Sequence, residues 1–442
     1  MESTIANVSL SRSRPPSVLW LFALSSACNV IALLASHPTA DPNKLDGDAL
    51  EYFSLAGRIL DGTYPFDVRR VPGHALILAG FRLFTRDNLV WLQTLVTLLF
   101  STSAPAAYWL ARRFTPREPI ALSVGVATAF WPPFVIYGRT LYSETTALPC
   151  FLCFLASLPV EPAQGRSLAS RPWRWMLSGA LLGACMLIRP MYLFYAPLVP
   201  LILFFEIGKT IKTLLAVAWI ALGCALALAP WSLYASVHSG RPVLLSSNGG
   251  ETLAGGLNPE LLRRGYSAVT APDGRRTWVG PGKWLPEDDT GFLKPDELLL
   301  PRSERGSRLL ERTLHWATSN PGSAAYLEGA KLAYMWGLYP FWNGLAQTLF
   351  GNIPILLAEL GGLLAIERLR LAWRRLAMLW TLPLFASAVA LVSWGSWRFR
   401  EPADVGLIML SAFFVWSRVE PGAQAFSAAA MAGRKRRMTS PR

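Results

Sequence analysis

About ten apolar segments, each close to the length that a membrane span requires, run through this sequence of 442 residues. A helix needs about 20 mostly apolar residues to cross the hydrocarbon core of a bilayer. Only 16% of the residues are charged and the mean hydropathy is +0.33, a value that soluble domains rarely reach. The sequence therefore predicts an all-α polytopic membrane protein. The expected spans lie near residues 18–36, 88–111, 118–135, 144–159, 174–188, 191–207, 213–234, 345–366, 376–393 and 403–417.

The positions of the basic residues predict the orientation, because lysine and arginine are retained on the cytoplasmic side of short loops. With the N-terminus inside, every predicted inside segment is basic, so ten spans with both termini inside are self-consistent. Those segments carry Arg12 and Arg14; Arg112, Arg113 and Arg117; Arg166, Arg171 and Arg174; Lys209 and Lys212; Arg368, Arg370, Arg374 and Arg375; and residues 434–437. This topology accounts for much of the net charge of +14, so we expect no nucleic-acid partner.

The first span has a second interpretation, because Arg12 and Arg14 before an apolar run are also typical of a cleaved signal peptide. The run is long for a signal core and an even number of spans needs it, so we expect an uncleaved span. The five cysteines all lie in apolar segments. Cys150 and Cys153 form a C-x-x-C pair without a second ligand pair, which favours helix packing over a disulfide or zinc site.

Two predicted outside segments divide the chain into regions. Residues 1–234 form an N-terminal transmembrane module that includes the first outside loop, 37–87. Residues 235–344 form a larger outside region. Residues 345–420 hold the C-terminal transmembrane helices, and residues 421–442 form a basic cytoplasmic tail.

The outside segments also contain predicted local structure. Apolar residues at helical spacing predict an amphipathic helix over 47–61 that ends at Gly62, and a second short helix after Pro72. In the larger region, glycine and proline favour irregular structure over 240–296. Two helical pieces are expected over 298–336, separated at Asn320-Pro321-Gly322.

The first outside loop contains a group of charged residues next to a predicted membrane span, called here the polar island. An acidic cluster of Asp46, Asp48 and Glu51 is followed by an arginine pair, Arg69 and Arg70, and by a Pro-Gly turn. Arginine binds phosphate through a planar fork and stays charged beside lipid. The polar island therefore indicates a site that handles an anionic substrate.

This loop resembles the first extracytoplasmic loop of the lipid carrier-dependent glycosyltransferases of the GT-C fold, which are related to protein O-mannosyltransferases and aminoarabinose transferases. That loop has the pattern Asp-x-x-x-Tyr, a leucine-containing helix that ends in glycine, and Arg-x-Pro-Gly-Tyr-Pro. His74 and Ala75 depart from it, since they stand where the family has Tyr-Pro. The matching residues are Asp48, Tyr52, Leu60, Gly62, Arg70, Pro72 and Gly73.

Five further segments resemble the family in the same chain order. Residues 247–259 are similar to its Gly-Gly-x-x-Leu-x-x-Gly-x-Asn-Pro segment, and Ser143-Glu144 is similar to the start of its fourth span. Asn320-Pro321-Gly322 precedes Lys331 as in the helix that leads to a basic residue. Residues 397–402 resemble its Arg-Tyr-Arg-x-Pro segment, and Arg189-Pro190 resembles an Arg-Pro pair.

The resemblance implies transfer of a sugar from a polyprenyl-phosphate donor to an acceptor at the outer face of a bacterial plasma membrane. It implies an inverting displacement with Asp48 as the general base, a task that an ionised aspartate can perform. Asp46 and Glu51 are the alternatives to Asp48. The leaving phosphate needs cations rather than a general acid, whereas glycoside hydrolysis uses two carboxylates.

Tyr52 and Glu144 are expected to contact substrate, together with a set of outside cations that could hold the phosphate. Each cation also has a simpler interpretation, which is interfacial extension toward lipid head groups. Glu144 could instead be a helix N-terminal acid stabilised by the dipole, and a pairing with an arginine fits both interpretations. The candidate cations are Arg69, Arg70, Arg139, Arg189, Lys331, Arg398 and Arg400.

We expect no cofactor and no metal, because His37, His74, His238 and His315 are scattered without partners at ligand spacing. Two other classes stay open. A transporter or lipid flippase would show paired halves and polar groups in mid-membrane, whereas the polar groups here gather at one face. A surface-polysaccharide polymerase or ligase would lack the first-loop pattern. The sugar and the acceptor, which could be a lipid, a glycan or a protein hydroxyl, are left open.

Overall fold

The computed structural model describes most of the chain. The described residues are 15–63, 70–115, 117–159, 171–208, 210–264, 268–270, 276–278, 292–336, 357–362, 364 and 376–419. Several sequence predictions therefore lie outside them, namely the basic inside loop around Arg166, most of the span at 345–366, and the tail. Arg69 of the arginine pair lies outside them too.

Helices account for nearly all of the regular structure. The first transmembrane region and its outside loop contain α1 (Pro15–Ala35), α2 (Gly47–Leu60), α3 (Gly73–Thr85), α4 (Leu89–Ser101), α5 (Ser103–Phe114), α6 (Glu118–Phe130), α7 (Pro132–Tyr137), α8 (Glu144–Ser157), α9 (Pro172–Ile188), α10 (Leu198–Ile207) and α11 (Ile211–Ser239). The rest contains α12 (Gly249–Gly256), α13 (Pro259–Arg264), strands β1 (Ala268–Thr270) and β2 (Arg276–Trp278), α14 (Arg302–Ser319), α15 (Pro321–Met335), α16 (Ala377–Val392) and α17 (Glu401–Val419).

The predicted all-α polytopic fold class is confirmed. Among the described residues, four apolar helices are long enough to cross a membrane, and shorter apolar helices cover other predicted spans. The long ones are Ser17–Ala35, Leu89–Phe114, Pro190–Ile207 and Ile211–Ser239. The chain is thus a multi-pass membrane protein. The division into four regions and the orientation of the spans stay predictions.

The helical structure is interrupted at Arg189-Pro190, where the sequence predicts a division between two spans. Arg189 is extended, with φ −150° and ψ 111°, and a 3-10 helix over Pro190–Tyr195 leads into α10. Proline disfavours the helical conformation of the residue before it and cannot donate a helical hydrogen bond. Helix α9 therefore ends just before Arg189, and the side chain of that arginine lies at the end of the helix.

The first outside loop forms a helical pair. Helix α2 matches the predicted 47–61 helix, and Gly62 follows it with φ +67°, a left-handed conformation that glycine adopts at little cost. Tyr52 and Ala56 of α2 pack in one buried cluster with Ala75 and Leu78 of α3. The pair is therefore a rigid platform for the polar residues of the loop.

The larger outside region contains more regular structure than its sequence predicts. Helices α12 and α13 and the antiparallel β1–β2 hairpin, in which Val269 pairs with Thr277, lie in the segment expected to be irregular. Glycine is a poor helix former, and α12 has the sequence GGETLAGG. Tertiary packing stabilises it, since Gly250 is buried and its Cα lies directly against the Gly306 carbonyl of α14. The predicted separation of α14 from α15 at Asn320 is confirmed.

Candidate active site

Five segments that are distant in sequence meet at one end of the helical bundle. Helix α2 supplies Asp48, the turn before α3 supplies Arg70, and the first residue of α8 is Glu144. Arg189 follows α9, and Arg398 lies in the 3-10 helix Trp397–Arg400 between α16 and α17. Ion pairs connect all five side chains. We call these five residues the ion-pair cluster.

Gly73 explains how the first loop reaches the other segments. A Cβ atom on Gly73 would lie 2.5 Å from the carbonyl oxygen of Leu187, in the last turn of α9. No real side chain tolerates such a contact with backbone, so only glycine lets the start of α3 pack there. This contact brings Arg70, three residues earlier, to the end of α9.

Asp48 lies between two guanidinium groups. Its Oδ1 accepts a hydrogen bond of 2.7 Å from Nη2 of Arg70, and its Oδ2 accepts one of 2.9 Å from Nη2 of Arg398. About a quarter of the Asp48 side chain is exposed. Burial alone would raise the pKa of Asp48, but the charges and hydrogen bonds of the two arginines outweigh it and lower the pKa to about 2. Asp48 is therefore ionised at neutral pH.

Arg70 is held by two carboxylates and an aromatic ring. Its Nε and Nη2 donate to Oε2 of Glu51 at 3.0 and 2.9 Å, while Nη2 also reaches Asp48. The guanidinium carbon lies 5.2 Å from the ring centroid of Tyr52, a distance suited to a cation–π interaction. One fifth of the side chain stays exposed. Arg70 is thus both oriented by the protein and open to a ligand.

Glu144 anchors two arginines. Its carboxylate is fully buried and its Oε1 accepts from Nε of Arg398 at 2.6 Å and lies 3.1 Å from Nη2 of Arg189. Arg398 also stacks on Tyr142 at 4.1 Å, and Arg189 lies 5.0 Å from the ring centroid of Phe399. The structure thus pairs Glu144 with arginine at a helix N-terminus. A buried charge without such partners would be strongly unfavourable.

His74 links the α2–α3 pair to α8, a role that the sequence did not reveal. Its buried ring lies within hydrogen-bond distance of the Thr146 hydroxyl, at 2.9 Å, and of the Leu141 carbonyl, at 3.0 Å. The ring also packs edge-on against Tyr52, with centroids 4.7 Å apart. Burial lowers the pKa of His74 to about 4, so a neutral imidazole connects α3 to the start of α8.

Two more groups near the cluster were not singled out as site residues. The hydroxyl of Tyr142 donates to Oδ2 of Asp46, which fixes the tyrosine that stacks on Arg398. Glu401, the first residue of α17, is buried. Glu401 could have been singled out from the sequence, because it directly follows the Trp397–Arg400 segment. Asp46 and Glu51, the alternatives to Asp48, border the cluster, although Asp46 itself is exposed.

Three predicted site cations lie elsewhere and bind the protein itself. Arg139 donates to the Ala32 carbonyl of α1 at 3.2 Å. Lys331 is fully buried, and its ammonium group donates to the carbonyls of Leu391 and Ser393 at 2.9 and 3.0 Å and pairs with Glu328 at 2.8 Å.

Arg400 is almost fully buried. It pairs with Asp404 at 2.8 Å and donates to the Met335 carbonyl at 2.6 Å. The structure therefore does not bring these three cations to Asp48, and their contacts favour a role in holding helices together.

A metal site does not emerge from the residues that the structure describes. Among them, no group of three or more His, Cys, Asp or Glu side chains is arranged to hold a metal ion. The carboxylates of the cluster instead face arginines. The expectation that the protein needs no metal or cofactor stays a prediction.

Comparison with known proteins gives a structural likeness without a sequence match. No model of a protein family matches the sequence, and no curated protein matches it. The archaeal oligosaccharyltransferase AglB from Archaeoglobus fulgidus, solved with an inhibitory peptide and a dolichol-phosphate, is similar over 93% of this chain, with a TM-score of 0.50 and 14% identity. The chain spans about half of AglB, 52% of its length.

ArnT from Cupriavidus metallidurans is similar at a lower score. The form bound to undecaprenyl phosphate has a TM-score of 0.41 and 14% identity, over 90% of this chain and 78% of ArnT. The apo form has a TM-score of 0.42 and 14% identity, over 89% and 77%. The likeness to AglB is a likeness of fold, and it agrees with the motifs of the sequence. The chain is a membrane protein of the GT-C fold.

Proposed function

We propose that this protein is an integral-membrane glycosyltransferase that takes a sugar from a polyprenyl-phosphate donor. The observation that carries the proposal is the position of Asp48 between Arg70 and Arg398. A carboxylate that can accept a proton lies beside two guanidinium groups that can bind a phosphate. The GT-C fold and the first-loop pattern support this assignment.

The proposed reaction is a single inverting displacement. Asp48 accepts the proton of an acceptor hydroxyl while the acceptor oxygen forms a bond to the anomeric carbon of the sugar. The bond between that carbon and the phosphate oxygen breaks at the same time, and the electron pair leaves with the polyprenyl phosphate. Arg70 and Arg398 stabilise the charge that develops on this phosphate.

Donor binding is proposed to activate Asp48. A carboxylate that accepts hydrogen bonds from two arginines is a weak base, and its pKa of about 2 reflects this. When the donor phosphate takes hydrogen bonds from Arg70 or Arg398, an oxygen of Asp48 is released to face the acceptor. The base therefore becomes effective only when the donor is present.

The remaining predicted site residues receive different roles in this proposal. Glu144 holds Arg398 and Arg189 in place, and Tyr52 orients Arg70 through its ring. The substrate contacts expected for Arg139, Lys331 and Arg400 are left out, because protein carbonyls and carboxylates already occupy these cations.

The proposed location is a bacterial plasma membrane, with the cluster on the extracytoplasmic face. The basic end of α5, with Arg112 and Arg113, would then face the cytoplasm. The acceptor would be a hydroxyl of a lipid, a glycan or a protein, and the sugar a hexose or a pentose. No cofactor is proposed.

Two measurements test the function. Mass spectrometry of the lipid-linked sugars that accumulate after gene deletion identifies the donor. Purified protein is then assayed with that donor, and Asp48→Asn is expected to lower turnover about 10²–10⁴-fold, the usual contribution of a general base. Asp87→Asn is the control, since Asp87 is exposed and pairs only with Arg82 among the described residues. Near wild-type turnover of Asp48→Asn would overturn the proposal.

A further inference from the structure

A cleft of about 230 Å³ lies in the outside region, apart from the ion-pair cluster. One wall is the chain that follows α11, and the other is the first half of α14. Helix α12 packs against α14 through Gly250 near its start and against the Ser393 carbonyl through Gly256 at its end. None of the residues that line the cleft belongs to the ion-pair cluster, so the cleft is a separate site.

The cleft carries an arginine whose charge no described residue neutralises. No described residue makes a hydrogen bond or ion pair with the guanidinium of Arg241, which lines the cleft. Three nearby arginines differ, since Arg305, Arg308 and Arg312 of α14 pair with carboxylates at 2.7, 2.8 and 2.5 Å. Arg241 is therefore a cation available to an anionic ligand.

The walls of the cleft present hydroxyl groups. Ser246, Ser247 and Ser303 line it, and none of their hydroxyls bonds to another described residue. A serine hydroxyl can both donate and accept. This combination of one cation and several hydroxyls suits a ligand that carries a phosphate together with hydroxyl groups of its own.

The rim of the cleft is apolar. Leu244 is 55% exposed and Leu310 is 38% exposed, and both line the cleft. Arg241 follows α11, which has 29 residues and is about 43 Å long, whereas the hydrocarbon core is about 30 Å thick. The end of α11 therefore extends to the level of the lipid head groups, where a ligand with an apolar chain can reach the rim.

We propose that this cleft binds the headgroup of a lipid that carries both a phosphate and free hydroxyl groups. Arg241 binds the phosphate, the serine hydroxyls bind the hydroxyls of the headgroup, and Leu244 and Leu310 contact the first carbons of the chains. This inference concerns binding and does not depend on the proposed transfer reaction.

Native mass spectrometry of the full chain in detergent tests the inference. The protein is titrated with phosphatidylglycerol, whose headgroup has a phosphate and two hydroxyls, and with phosphatidic acid, which has the phosphate alone. Phosphatidylglycerol should bind one site more tightly than phosphatidic acid. Arg241→Gln should weaken that binding about tenfold, since a charge-assisted hydrogen bond is lost. Arg308→Gln, which removes an outward arginine that is already paired, should leave it unchanged.

A second variant and a soluble probe complete the test. Ser303→Trp should fill the cleft and abolish the specific site, and thermal unfolding of each variant verifies that it is folded. Unchanged phosphatidylglycerol binding in Arg241→Gln would overturn the inference, and equal binding of the two lipids would overturn the role of the hydroxyls. If glycerol 3-phosphate competes as well as the lipid does, the cleft is a site for free phosphate esters and not for a lipid.

Discussion

Nη2 of Arg398 lies 2.9 Å from Oδ2 of Asp48, although 350 positions separate the two residues in the chain. The same guanidinium reaches Glu144 at 2.6 Å. Arg398 therefore joins the first outside loop to the start of α8 and to the segment before the last described helix. The geometry that we assign to phosphate binding thus depends on the tertiary fold of the whole chain.

Arg398→Ala should lower both stability and transfer. It leaves the fully buried Glu144 with Arg189 as its remaining described ion-pair partner. The loss of stability should therefore stay below the roughly 3–5 kcal/mol that an uncompensated buried charge costs. Arg398→Lys should restore part of the stability but little of the transfer, because an ammonium cannot fork between two carboxylates. Thermal unfolding in detergent and the transfer assay measure the two effects. Equal melting temperatures of wild type and Arg398→Ala would contradict the anchoring role.

Gly73→Ala should disrupt the cluster without touching any charged group. The new methyl group would lie 2.5 Å from the backbone of Leu187, so the start of α3 must move and Arg70 with it. Gly80→Ala in the same helix is the matched control, since a Cβ there meets nothing within 4 Å, and alanine favours helix by about 1 kcal/mol over glycine. We expect Gly73→Ala to lose donor binding and stability, while Gly80→Ala loses neither. Similar behaviour of the two variants would refute the close-packing argument.

The local part of the fold could be predicted from the sequence. The apolar segments, the α2 helix with its Gly62 stop, and the pairing of Asp48 and Tyr52 in one loop follow from spacing within a few residues. The division at Arg189-Pro190 follows from the stereochemistry of proline. These features depend on neighbours in the chain, and a single sequence contains that information.

The partners of the cations could not be predicted. The sequence predicted Lys331 and Arg400 as phosphate-binding cations but gave no sign that their charges bind helix-end carbonyls and Asp404. The sequence cannot identify which carbonyl a cation will bind, because every residue has a backbone carbonyl. His74 was noted only as a departure from the family pattern, and its contact with Thr146 joins helices that are 72 positions apart.

The orientation of the spans gives a prediction independent of catalysis. Ten spans with both termini inside place Ser319 outside and Arg171 inside, and both residues are exposed. In a variant without the native cysteines, Ser319→Cys should react with an impermeant thiol reagent in intact cells and Arg171→Cys should react only after lysis. Equal labelling of the two in intact cells would show that the number of spans between them is wrong.

Acid should weaken the fold through Asp48. The folded pKa of about 2 lies below the unfolded value of about 3.9. A depressed folded pKa contributes stability that is present above the unfolded pKa and is lost as the pH falls toward the folded one. The melting temperature of the wild type should therefore fall more steeply between about pH 4 and 2 than that of Asp48→Asn. Parallel pH profiles for the two proteins would mean that the arginines do not stabilise the ionised form of Asp48.

Arg70 should act on the donor phosphate rather than on the acceptor. Its side chain is one-fifth exposed, and Arg70 pairs with both Glu51 and Asp48. The guanidinium can therefore bind a ligand in place of Asp48 while Glu51 continues to hold it. Arg70→Ala should weaken donor binding and lower turnover, because the leaving phosphate loses a charged partner. Stability should fall less than in Arg398→Ala, since the carboxylates left behind, Asp48 and Glu51, are about one quarter exposed, whereas Glu144 is fully buried.

Arg70→Lys separates charge from shape. Lysine keeps the charge but cannot hold two oxygens in a fork, so it should restore donor binding only in part, while acceptor affinity stays close to the wild-type value in both variants. Donor and acceptor are titrated separately with the purified protein, using turnover as the readout. If donor affinity and turnover are unchanged in Arg70→Ala and acceptor affinity falls instead, the phosphate contact belongs to Arg398. Arg70 then serves as an interfacial anchor for the first loop.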